Sequence, residues 1–160
     1  MKRKFVILIL LFGFIFLANK AVGAISVILT GSWSLTITSS DLISGAGSDL
    51  KSDYESAADA VSISISGTTG ASDNWRVDVE KIDTNWPNSL NLYIKRTSDG
   101  TGGSVSGGTS YQQITDVNQT FFSGSGDVSW INVQLKLNGV SIQISPDNYT
   151  TTVYYTVVDI

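Results

Sequence analysis

From residue 33 onward the chain alternates between apolar and polar side chains. Trp33, Leu35 and Ile37 are separated by Ser34, Thr36 and Thr38. Val61, Ile63 and Ile65 alternate with serines, and Trp75, Val77 and Val79 alternate with Arg76, Asp78 and Glu80. Leu90, Leu92 and Ile94 repeat the pattern, as do Ile131, Val133, Leu135 and Leu137. Successive side chains of a strand point to opposite faces, so each run has one core face and one wet face. Antiparallel sheets covered on one side produce this pattern.

Turn signals separate the runs: Gly67-Thr68-Thr69-Gly70, Asp99-Gly100, Gly107-Gly108, Gly124-Ser125-Gly126-Asp127 and Pro146-Asp147-Asn148. Asn138-Gly139 stands between Leu137 and the run Val140 to Ile144. It predicts a two-residue hairpin, whose central positions need positive φ. Short strands at this spacing predict an all-β chain, an antiparallel Greek-key sandwich of about seven to nine strands. One short helical turn is expected in the 39–60 connection, over Ser52 to Ala60, where alanines cluster. The Gly/Ser/Thr-rich stretch from Asp99 to Ser110 predicts a flexible loop.

The first residues set the expected compartment. Lys2, Arg3 and Lys4 precede an apolar run from Phe5 to Ala18, and Ala21-Val22-Gly23-Ala24 follows. This is the order of a secretory signal peptide, with cleavage expected after Ala24. The apolar run is shorter than the roughly 20 residues that span a bilayer. Residues 1–24 are therefore read as the leader and 25–160 as a single domain, secreted to the extracellular space or cell surface. No membrane insertion is expected after cleavage.

Four of the ten basic residues lie in the leader and all fourteen acids lie beyond it. Six basic against fourteen acidic residues leave a net charge of −8. Such a surface repels phosphate backbones, so nucleic acid is not an expected partner. The absence of cysteine, with the simple leader, points to a prokaryotic source. The sequons Asn118-Gln119-Thr120 and Asn148-Tyr149-Thr150 are then read as accidental.

Catalytic machinery is hard to build from this composition. With no histidine and no cysteine, the Ser-His-Asp and Cys-His arrangements and a His/Cys zinc site are excluded. Asp78, Glu80 and Asp83 are read as exposed carboxylates on strand faces or in loops, and no enzyme activity or cofactor is expected. Asp41, Asp49, Asp53, Glu55 and Asp59 crowd one connection, where calcium is the candidate ion because it takes hard oxygen ligands. Their spacing matches no known calcium loop. A solvated acidic loop is the competing reading.

Four tryptophans and one tyrosine carry the remaining signals. Trp33 and Trp75 fall in register with apolar alternation and are read as core. Trp86, before Pro87, and Trp130, out of phase with Ile131, are the candidate exposed aromatics for a ligand or an interface. Tyr149 follows a tight turn at the entrance of the last strand. There it predicts a tyrosine corner, with its hydroxyl bonded to backbone near Ser145 or before.

The ending Pro146-Asp147-Asn148-Tyr149-Thr150-Thr151-Thr152-Val153-Tyr154-Tyr155-Thr156-Val157, with the leader and the alternating strands, resembles bacterial secreted Ig-like domains. Pilin-like and spore-coat-like surface subunits often end in Pro-x-x-Tyr followed by an alternating Thr/Val strand. The likeness covers mainly Ser145 to Val158, and the paired cysteines of many such subunits are absent. It implies an Ig-like sandwich and a structural role, and carries over no functional residue.

The leading expectation is a secreted structural or adhesive subunit that self-associates or joins other surface proteins. Ile25 to Leu29 is either the first strand of its own domain or a strand donated to a neighbour's open edge. The alternative is a carbohydrate-binding module that contacts polysaccharide through Trp86 or Trp130.

Overall fold

The computed structural model describes residues 24–160. Of the expected leader, residues 1–24, all but Ala24 lie outside the described residues. The class is all-β. The strands are β1 (Ser26–Gly31), β2 (Asp53–Glu55), β3 (Val61–Ser66), β4 (Asn74–Asn85), β5 (Asn91–Arg96), β6 (Thr101–Ser106), β7 (Gln112–Gln113), β8 (Gln119–Asn138) and β9 (Thr150–Asp159). All belong to one antiparallel sheet with the order β1-β3-β8-β4-β9 along its main path.

The 20-residue β8 organises everything else. One of its edges pairs with β4, β3 and β2 in turn, and the opposite edge pairs with β6 and then β5. The chain thus follows β8 twice, as two broken strands. β8 bends between Gly124 and Trp130, and the sheet curls over so that β3 and β4 bury the same core. Ile63, Ile65, Trp75, Val77, Val79, Ile94, Val128, Ile131 and Val133 share that core.

Glycine at the bend is a packing requirement. A Cβ on Gly124 would stand 2.5 Å from the Trp75 ring, and one on Gly103 would stand 2.0 Å from the Ser125 carbonyl oxygen. Trp75 Nε1 donates to the Gly126 carbonyl at 2.8 Å, and its ring meets Phe122 edge-on at 6.0 Å. The buried indole is therefore both packed and satisfied.

A second, smaller cluster closes one end of the core. Leu90, Leu137 and Val140 pack there with Trp33, Ile37, Leu50, Tyr54, Trp86, Ile144 and Tyr149. Asp49 ties the two covering segments together: its carboxylate accepts from the Ile142 and Leu50 N–H groups and from the Ser141 hydroxyl.

Several expectations need correction. The stretch from Asp99 to Ser110 is not a free loop: Thr101–Ser106 is β6, paired with β8. Its glycines permit the close approach at the bend. The hairpin at Asn138-Gly139 does not form, although Gly139 has a positive φ. β2 and β5 already occupy both edges of β8 at Asn138, so residues 140–144 have no edge to join. Residues 52–60 hold β2 and a turn, with no helix; the one short helical turn in the 39–60 connection is a 3₁₀ turn at Ser39–Asp41, capped by Thr38. Residues 33–38 are not a strand; Trp33 and Ile37 instead cover the ends of the core.

Candidate functional site

The main path of the sheet ends in β1 and β9, and each has one unpaired edge among the described residues. β1 pairs only with β3, in the register Ile28↔Ser64 and Thr30↔Ser62. The first expected strand therefore pairs within its own domain. β9 pairs only with β4, from Trp75↔Asp159 to Asn85↔Thr150. β1 and β9 approach one another.

The composition of β9 makes its open edge unusual. From Thr150 to Val158 it holds no charge, proline or glycine. Natural edges are commonly guarded by lysine, proline or a bulge. Val153, Tyr155 and Val157 lean on the core, while Thr152, Tyr154 and Thr156 face out, Tyr154 at 47% exposure. Burial pushes the Tyr155 hydroxyl pKa up, and that hydroxyl has no hydrogen-bond partner among the described residues.

The tryptophans separate cleanly. Trp75 is fully buried and Trp33 is half-buried over the core. Trp86 is half-buried: it packs on both clusters, its Nε1 donates to the Leu90 carbonyl at 2.8 Å, and Lys81 Nζ lies 5.7 Å from its ring centroid. Its polar atom and part of its surface are therefore engaged within the fold. Trp130 is 62% exposed and has φ 63°, the one positive φ outside glycine among the described residues. A left-handed backbone costs an ordinary residue about 1–2 kcal/mol. A bulge aims the side chain outward: the β3–β8 register slips between Ile63 and Ile65.

Register places other groups beside Trp130. Its N–H donates to Ser64 Oγ at 3.1 Å, and Ser64 lies opposite Ile28, which is 58% exposed. In the next row Asn132 lies opposite Ser62, and Ser62 opposite Thr30. The outward face of β1, β3 and β8 is therefore an uncharged pair of rows, Ile28–Ser64–Trp130 and Thr30–Ser62–Asn132. Ile28 escapes a reading of the sequence, because its place beside Trp130 depends on β3 lying between them. A tryptophan out of phase with its strand is the one signal the sequence offers.

A third group occupies the outward face of β5 and β8. Lys136 Nζ lies 5.1 Å from the Tyr93 ring centroid and 4.7 Å from that of Tyr111, and Lys95 Nζ lies 4.4 Å from Tyr111. These cation–π contacts lock the face internally. Burial, with Glu55 beside it, pushes the Tyr111 hydroxyl up to about 12.

The acids are dispersed. Asp78, expected to face water, is only 4% exposed. β4 is flanked by β8 and β9, and Arg76 Nε donates to the Asp78 carboxylate at 2.9 Å while the Asn118 amide approaches at 3.4 Å. Burial alone would raise Asp83, but the Lys81 ammonium and Thr151 hydroxyl hold it below its ordinary value. In the proposed calcium region, Asp41 accepts from the Thr38 N–H, and Asp53 pairs with Ser52 and Asn138. Asp49 holds residues 141 and 142. No group of three or more such ligands gathers among the described residues.

Tyr149 is half-buried on the second cluster, and its hydroxyl donates to the Ser145 carbonyl, an upstream backbone group of the kind a tyrosine corner uses. The chain matches no protein-family model, no curated protein and no solved structure.

Proposed function

We propose that this protein is a secreted, non-catalytic structural or adhesive subunit of the cell surface or extracellular space. It associates by adding a neighbour's strand to the open edge of β9. The observation that carries this reading is the edge itself: ten residues hydrogen-bonded to β4 on one side, unguarded by charge along nine of them. Backbone groups on such an edge supply affinity, and the alternating side chains supply register. The partner is another copy or a different surface protein presenting a comparable edge. The alternative, a carbohydrate-binding module that uses Trp86 or Trp130, has less support at Trp86, whose indole is committed to Leu90.

Light scattering on the purified protein tests the reading. A dimer or larger species is expected at micromolar concentration. Thr152→Lys with Thr156→Lys adds two charges beside the open edge and leaves the inward face of β9 unchanged. That variant should be monomeric and folded. A wild-type protein that stays monomeric at every accessible concentration, with or without other surface proteins from its source, would remove the basis for assembly.

A further inference from the structure

We propose that the outward face of β1, β3 and β8 is a binding site for a neutral polysaccharide, with the Trp130 indole as its stacking platform. The site is separate from the β9 edge and does not depend on assembly there.

The argument starts from the backbone. Trp130 keeps a φ of 63° that glycine would adopt without strain, and its large side chain stands 62% exposed. The indole belongs to neither core cluster. Side-chain hydroxyls hold the strained peptide unit in place: its N–H donates to Ser64 Oγ, and its carbonyl accepts from Ser98 Oγ at 3.3 Å. Strain held in place by its surroundings is a recurring property of binding sites.

The neighbours select the ligand. Ile28 and Trp130 flank the β3 serines, two strand spacings apart, or about 10 Å. The apolar surface is thus interrupted by hydroxyls, which suits a sugar better than a protein. A pyranose offers an apolar C–H face to an indole and hydroxyls to the groups around it. Donors and acceptors are at hand. The Asn132 amide has no side-chain partner among the described residues, and the Ser64 hydroxyl only accepts.

Charge narrows the class further. Neither row contains a charged residue, and the chain as a whole is acidic. An acidic polysaccharide would meet repulsion and gain no ion pair. A neutral polymer meets neither obstacle.

Retention on a panel of insoluble or immobilised polymers tests the site: cellulose, chitin, β-1,3-glucan, mannan and starch, with polygalacturonate as the acidic control. The wild-type protein should be retained by at least one neutral polymer and not by polygalacturonate. Trp130→Gly removes the indole and relieves the backbone, so its melting temperature should be equal to or above that of the wild type. Its retention should fall at least tenfold. Asn132→Ala should weaken retention severalfold, and Ile82→Ser, a change at an exposed isoleucine of β4, should not. The same samples in light scattering should show the wild-type oligomeric state. Absence of retention on every neutral polymer, retention on polygalacturonate alone, or undiminished retention of a folded Trp130→Gly would each overturn the site. So would a Trp130→Gly variant that loses assembly, because the indole would then belong to a protein interface.

Discussion

At the scale of single residues, inward positions are determined by close packing and outward ones by what lies next to them. Trp75 fills the bend of β8 against Phe122 and against the bare backbone of Gly124. Trp75→Ala should lower unfolding free energy by about 3–5 kcal/mol, from lost burial and the cavity left behind. Gly124→Ala should cost about 1–3 kcal/mol by forcing the ring and the Ser104 carbonyl apart. Denaturant midpoints measure both, and a neutral Gly124→Ala would show that the bend has room to relax. Tyr149→Phe removes one hydrogen bond, to Ser145, and keeps the packing, so about 1 kcal/mol should be lost. Alternation alone was enough to place Trp75, Val77 and Val79 in the core. It was not enough for Asp78, which occupies a polar position yet is buried. β8 and β9 flank it and the amide of Asn118, 40 residues away, reaches its carboxylate, and no local pattern reports such distant neighbours.

At the scale of elements, strand propensity and strand formation part company where partners are missing or already taken. Residues 140–144 alternate like a strand but meet a β8 whose edges are full. Residues 101–106 have a loop composition, yet pair along β8 because only glycine fits the crowded bend. The 20-residue β8 is hidden in the sequence by Gly124-Ser125-Gly126, which has the composition of a turn and acts as a corner within one strand. Loops are held by carboxylates instead. The Ile142 and Leu50 N–H groups lower the Asp49 pKa from 3.8, and the Thr68 hydroxyl and N–H lower that of Asp127. A lowered native value means that each anion adds stability in full above its ordinary unfolded pKa. That stability is lost as pH falls below it and through the native value. Melting temperature should therefore drop below about pH 4. Asp49→Asn should lower it at pH 7 and flatten the acid-side slope, and an unchanged slope would mean that the tether carries no linked proton.

At the scale of the whole molecule, the sheet buries its core by curling, and curling without closing leaves open edges, among them those of β1 and β9 at the ends of its main path. β1 is short, at six residues, and approaches β9. β9 is long and uncharged up to Asp159, so its edge is the larger one available. Antiparallel pairing of two β9 strands about Tyr154 would set Thr152 opposite Thr156 of the other copy and bring the two exposed tyrosine rings together. Asp159 would fall outside that overlap. Association of this kind stabilises the folded state by mass action, because the unfolded chain has no such edge. The melting temperature of the wild-type protein should therefore rise with concentration across a hundredfold range. The Thr152→Lys, Thr156→Lys variant should melt at one temperature throughout, close to that of the dilute wild type. Thr152→Lys with Thr156→Glu should regain the concentration dependence, because this register sets each lysine opposite a glutamate. If the lysine–glutamate variant behaves like the double lysine, the β9 strands do not pair in this register. If the wild type shows no concentration dependence, they do not pair at all.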